Sequence, residues 1–121
     1  MLVDDNTVDL MLYGRVIKRS GIADRLISCQ SADEALEIIR QGDIPDVILL
    51  DINMPRLSGF DFLDTATREF GSDFCKVVAM LTTSQDPADQ SKANSYPVVK
   101  DFFNKPLDAD QLTTLATLTS K

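Results

Sequence analysis

No histidine occurs among the 121 residues. Ser-His-Asp triads, Cys-His dyads and His-ligated zinc are thereby excluded. Tryptophan is absent too, and cysteine is limited to Cys29 and Cys75. Two cysteines make no disulfide framework and point to a reducing, cytoplasmic setting. No apolar run approaches the length of a membrane span, and no basic stretch precedes a signal-like segment, so no membrane association is expected. Cations are in deficit, with 12 Lys and Arg against 19 Asp and Glu, for a net charge of -7. Without clustered cations there is nothing to displace counterions from a phosphate backbone, and nucleic acid is not an expected partner. Carboxylates, hydroxyls and lysines remain to carry any chemistry.

What is present is an ordinary globular composition, 44% apolar and 26% charged. A chain of this length buries about two-thirds of its unfolded surface, enough for one domain without disulfides or structural metal. Short, continuous apolar blocks predict buried strands at Val47-Ile48-Leu49-Leu50, at residues 77–81 and at residues 100–104, with weaker ones at Met1-Leu2-Val3 and residues 25–29. Continuous rather than alternating runs suit strands covered on both faces. Helical patterns lie between them. Val8, Leu12 and Val16 recur at i, i+4 and i+8 with Met11 beside them, predicting the buried stripe of a helix stopped by a left-handed Gly21. Ser31 with Glu34 forms a capping-box pair ahead of Ala35, Leu36 and Ile39, and Gly42 follows. Gly59, expected at positive φ in the loop after Asp51, precedes Phe60, Leu63 and Phe70, and Gly71 closes that segment; Asp86-Pro87 opens a short polar helix towards Asn94; Asp108 with Gln111 caps a last helix carrying Leu112, Leu115 and Leu118.

Five strand–helix alternations imply right-handed crossovers and an open, doubly wound parallel sheet. Ligands bind such sheets beyond the carboxyl ends of the strands. Asp4-Asp5, Asp51, Thr82 and Lys105 all fall there. Singly, each has a bland reading as a helix cap, a turn residue or a satisfied loop hydroxyl, and Lys105-Pro106 alone marks a possible cis bond in a tight turn. Together, three carboxylates would raise one another's pKa unless a cation compensates. With oxygen ligands only, the matching ion is Mg2+ or Mn2+. A carboxylate beside such an ion, with a lysine and a hydroxyl nearby, can attack phosphorus to give an aspartyl phosphate.

The segments Leu2-Val3-Asp4-Asp5-Asn6, Val47-Ile48-Leu49-Leu50-Asp51-Ile52-Asn53-Met54-Pro55 with Gly59, Met80-Leu81-Thr82 and Phe102-Phe103-Asn104-Lys105-Pro106 resemble, in that order, the receiver domain of two-component response regulators. The resemblance covers nearly the whole chain. It implies a flavodoxin-like (βα)5 fold with strand order 2-1-3-4-5. It also implies that Asp51 accepts a phosphoryl group from the phosphohistidine of a sensor histidine kinase or phosphotransfer protein. Asp5 and Asp51 would hold Mg2+ through side chains, Asn53 through its carbonyl, and Asp4 mainly through a metal-bound water. Lys105 would pair with the phosphoryl group, and Thr82 would swing inward to it. Phe102 would be the aromatic switch, rotating when Thr82 moves, and the last strand and helices would form the face that partners read. Asn53, Thr83 and Ser84 hold the positions expected to tune the lifetime of the phosphoryl group.

Three departures from the family pattern stand out. Only Met1, Leu2 and Val3 precede the acidic pair, so the first strand is either trimmed or short. Asn94-Ser95-Tyr96-Pro97-Val98-Val99 replaces a common Gly-Ala step, making Tyr96 a candidate contact residue. Thr83 stands where many receivers carry a smaller residue, and is expected to narrow the approach of water. Leu81-Thr82-Thr83-Ser84 with Asn53-Met54-Pro55 further resembles a group of stand-alone receivers that includes partners of phytochrome-type kinases. The chain therefore reads as one domain over residues 1–121 with no output domain, and a homodimer through the last strand and helices is compatible with it. Two other readings compete. A haloacid-dehalogenase-type phosphatase would carry an acid where Asn53 stands and would need a cap domain. A phosphorylation-independent pseudo-receiver would have lost one of Asp4, Asp5, Asp51, Thr82 or Lys105, all of which are present.

Overall fold

The computed structural model describes residues 1–119. Among them, strands and helices alternate: β1 (Leu2–Val3), α1 (Thr7–Ser20), β2 (Ser28–Cys29), α2 (Ala32–Arg40), β3 (Val47–Leu50), α3 (Gly59–Phe70), β4 (Val77–Thr82), α4 (Pro87–Asn94), β5 (Val99–Asn104) and α5 (Ala109–Thr119). The strands pair in parallel in the order β2-β1-β3-β4-β5. This is the flavodoxin-like arrangement expected from the alternation. No helix among the described residues is long and apolar enough to cross a membrane.

Because side chains alternate across a strand, each strand feeds two cores. Val3, Ile48, Leu50, Val78 and Met80 pack on one face with Leu36, Phe62 and Leu63 of α2 and α3. Leu2, Leu49, Ala79, Leu81 and Phe103 pack on the other with Leu10, Tyr13, Ile17, Leu112 and Leu115 of α1 and α5. β4 is buried along its whole length, as a central strand covered on both sides must be. Each such aliphatic side chain contributes about 1.5–3 kcal/mol of transfer free energy, so the middle of the sheet is a stiff platform for what projects from its end.

Several local expectations hold. Gly21 ends α1 at φ 71°, Gly42 follows α2 at φ 93°, and the Lys105–Pro106 bond is cis. Asp108 and Gln111 exchange backbone N–H bonds reciprocally before α5. Cys29 and Cys75 are buried free thiols, and burial pushes Cys29 up to about 11.

Others are corrected. The stripe expected on α1 is mostly the wrong face: Val8, Met11 and Leu12 are exposed and only Val16 packs partly against the core, while Leu10, Tyr13, Gly14 and Ile17 are buried. The helix carries apolar residues almost all round, and the sheet, not the periodicity, selects which of them it covers. Half of the Ser31 box is displaced, since Ser31 accepts the Glu34 N–H but the Glu34 carboxylate takes the Gln30 N–H. β2 is shorter than residues 25–29, because β1, its neighbour in the sheet, offers two residues to pair with.

Candidate functional site

β1, β3, β4 and β5 end on one edge of the sheet, and the chemistry-bearing residues lie at or just beyond those ends. Asp4 and Asp51 follow buried Val3 and Leu50, so their carboxylates are carried into partly dry surroundings. Asp4 is 1% and Asp51 6% exposed, while Asp5 is exposed. One oxygen from each of Asp4, Asp5 and Asp51 lies within 4.8 Å of the others. Three hard oxygen donors at that spacing fit a small divalent cation such as Mg2+, and no thiolate or imidazole competes for it.

Among the described residues, the cation that meets this group is Lys105, which follows β5. Its Nζ donates to Asp4 Oδ2 at 2.7 Å and lies 3.4 Å from Asp51 Oδ2. It also donates to Asp9 Oδ2 at 2.8 Å. Asp9 does not stand out in the sequence. It sits in the first turn of α1, where an acid is favoured by the helix dipole alone, and the lysine that meets it is 96 residues away. The only available signal was its place one turn after Asp5.

Local bonds hold these side chains in register. Asn6 caps α1 by accepting the Val8 and Asp9 N–H groups, and its own N–H goes to Asp4 Oδ1 at 2.9 Å. Asp4 thus has both oxygens engaged, one by Asn6 and one by Lys105. Burial raises the Asp51 carboxyl above its ordinary value; Lys105 pulls it down, Asp4 pushes it up again, and the Asn53 backbone N–H lowers it by hydrogen bonding. For Lys105, burial would lower the pKa, but the bonds to Asp4 and Asp9 and the charge of Asp51 hold it above the ordinary lysine value.

Gly59 shapes the site differently from expectation. It does not adopt positive φ; the left-handed residue of that loop is Arg56, at φ 69°. Instead α3 starts directly beneath the end of β3, with the Gly59 N–H on the Ile52 carbonyl at 2.8 Å. A Cβ there would collide with the Asp51 carbonyl oxygen. Glycine is needed for close approach, not for an unusual dihedral.

Thr82 is fully buried at the end of β4, its hydroxyl accepting the Ser84 N–H at 3.2 Å. Its carbonyl accepts the Lys105 N–H at 2.9 Å, tying the two strand ends together. Thr83 and Asn53 are exposed. Ser84 is turned away from the carboxylates, donating to Asp89 in the first turn of α4. Phe102 is half-buried against the α2/α3-side core, and Phe103 is buried on the opposite face. Tyr96 is not free: its hydroxyl donates to Asp64 at 2.6 Å and its ring stacks on Phe60.

The family model of the response regulator receiver domain matches residues 1–117. The chain belongs to that family. A two-component response regulator from Cytophaga hutchinsonii has a similar structure, with TM-score 0.91 and 28% identity over 98% of this chain and 93% of that one. Protein PilH of Pseudomonas aeruginosa is 25% identical, covering 93% of this receiver and 88% of PilH. The sensor histidine kinase CheAY of Helicobacter pylori is 28% identical over 95% of this receiver, which spans only 14% of that protein. The receiver is therefore a signalling domain of two-component systems. Such domains are not turnover enzymes, and they generally bind Mg2+ at an acidic pocket of this kind.

Proposed function

We propose that this receiver is a phosphorylation switch, with Asp51 as the acceptor of a phosphoryl group from a histidine kinase or phosphotransfer protein. The observation that supports this best is the meeting of Asp51, two further carboxylates and Lys105 at one sheet edge. Asp51 is the carboxylate at the centre of the sheet, beside the lysine but not bound closely by it, which leaves an oxygen free to attack.

In the transfer, an Asp51 oxygen forms a bond to phosphorus as the donor's P–N bond breaks, and the imidazole leaves with the electron pair. Asp5 and Asp51, with the Asn53 carbonyl, would hold Mg2+, and Asp4 would act through a bound water. Mg2+, when bound, supplies positive charge against the phosphoryl oxygens. Lys105 supplies a second positive charge from the β5 side, and the Thr82 hydroxyl can exchange the Ser84 N–H for a phosphoryl oxygen. Because Lys105 is bonded to the Thr82 carbonyl, movement at either strand end is felt at the other. Phe102, only half-buried, has room to change rotamer with it. The face around α4, β5 and α5 would then be read by a partner, or by a second copy of the chain. Exposed Thr83, with Asn53, would set how readily water reaches the acyl phosphate, whereas Ser84 is engaged by Asp89.

In this reading the domain works in the cytoplasm. The phosphorylation-independent alternative gains no support, because Lys105 already lies beside the acceptor. The test is chemical trapping. The protein is treated with acetyl phosphate and Mg2+, reduced with borohydride and digested. Homoserine at position 51 is the expected product; reduction at another carboxylate, or none, contradicts the assignment.

A further inference from the structure

Lys105 is held by α1 as well as by the strand ends. Its ammonium donates to Asp9 Oδ2 at 2.8 Å and lies 6.0 Å from the centroid of the Tyr13 ring. Asp9 and Tyr13 are one helical turn apart, so α1 presents an anion and an aromatic face to the same cation. The Asp9 side chain is 21% exposed and the Lys105 side chain 10%, a largely covered pair. Asn6 already caps this helix, so the Asp9 carboxylate is not needed for that purpose.

An ammonium has three hydrogens and accepts nothing. Two of those of Lys105 are committed to Asp4 at 2.7 Å and Asp9 at 2.8 Å, while Asp51 is met only at 3.4 Å. A divalent cation entering between Asp4, Asp5 and Asp51 needs the oxygens that Lys105 would otherwise take, and its charge repels the ammonium. Without Asp9, the carboxylates that meet Lys105 would all belong to the cation's own cluster.

We propose that Asp9 is a positioning residue that parks the Lys105 ammonium beside the cation site, keeping Asp51 open to Mg2+. Parking also keeps the lysine within one bond rotation of a phosphoryl group on Asp51. The proposal rests on the Mg2+ reading above. It differs from a plain field effect, in which one more negative charge near the site attracts any cation whether or not Lys105 is there.

Calorimetric titration with Mg2+, without any phosphodonor, separates the two in four proteins: wild type, Asp9→Asn, Lys105→Gln and the double variant. Parking predicts that Asp9→Asn weakens Mg2+ binding about three- to tenfold while Lys105 is present. With Lys105 replaced, the same change should have less than about a twofold effect. Equal weakening in both backgrounds, or none in the first, overturns the proposal. Wild type that binds no Mg2+ would instead bring down the cation reading and the proposal with it. Should Lys105→Gln fold poorly, an ammonium-selective nitrogen–proton spectrum decides on Asp9→Asn alone. A protected Lys105 signal should persist in Mg2+-saturated wild type and vanish in Asp9→Asn; persistence in both contradicts parking.

Discussion

Gly59 lies against the backbone of Asp51, with no room between them for a Cβ. The start of α3 is thereby fixed to the end of the strand that carries Asp51. Gly59→Ala should cost about 2 kcal/mol of stability, as overpacking at an unyielding backbone does. It should also lower Mg2+-dependent labelling by shifting Asp51. Denaturant unfolding and labelling stoichiometry measured together check this; an unchanged midpoint would mean that the loop yields freely.

How much of this was legible beforehand depended on where the information lies. β3 and β4 could be read directly, because a strand buried on both faces leaves an unbroken run such as Val47-Ile48-Leu49-Leu50. The residues just beyond such runs, Asp51 and Thr82, followed at once. The face of α1 did not follow, since Val8, Leu12 and Val16 satisfy helical spacing as well as Leu10, Tyr13 and Ile17 do. Gly59 was recognised as special for the wrong reason, because a close approach to Asp51 leaves no trace in local sequence. Asp9 was missed because its partner, Lys105, comes from the other end of the chain.

The raised pKa of Asp51 carries a stability consequence. The folded protein holds this proton more tightly than the unfolded chain, so stability falls as pH rises from the ordinary value of 3.8 through the raised one. Metal-free Asp51→Asn should therefore melt above wild type at neutral pH, with the gap closing in acid. Mg2+ should raise the wild-type midpoint and move the variant little. Calorimetry over a pH series checks both, and a lower midpoint for the metal-free variant would contradict the argument from burial.

Lys105 acts in the opposite sense. Its pKa is raised above the ordinary 10.5, so its stabilising contribution is complete below that value and is lost as pH climbs through the folded one. Lys105→Met should cost about 3 kcal/mol at neutral pH, since buried Asp4 loses its counter-charge. The difference from wild type should be flat across neutral pH and shrink only in strong alkali. A difference that varies between pH 6 and 8 would point to another group.

Thr83 is exposed beside buried Thr82 and is proposed to crowd an attacking water. Thr83→Ala should shorten the phosphoryl half-life several-fold without changing labelling stoichiometry, followed as decay after the donor is removed. An unchanged half-life would remove Thr83 from the account.

The most direct test is intact-mass spectrometry after incubation with acetyl phosphate, with and without Mg2+, on wild type and Asp51→Asn. The absence of histidine makes the result unambiguous, since an acid-labile adduct cannot be a phosphohistidine. One phosphoryl adduct that requires Mg2+ and disappears in Asp51→Asn is the predicted result. No adduct in the presence of Mg2+, or an adduct retained in Asp51→Asn, would contradict the switch.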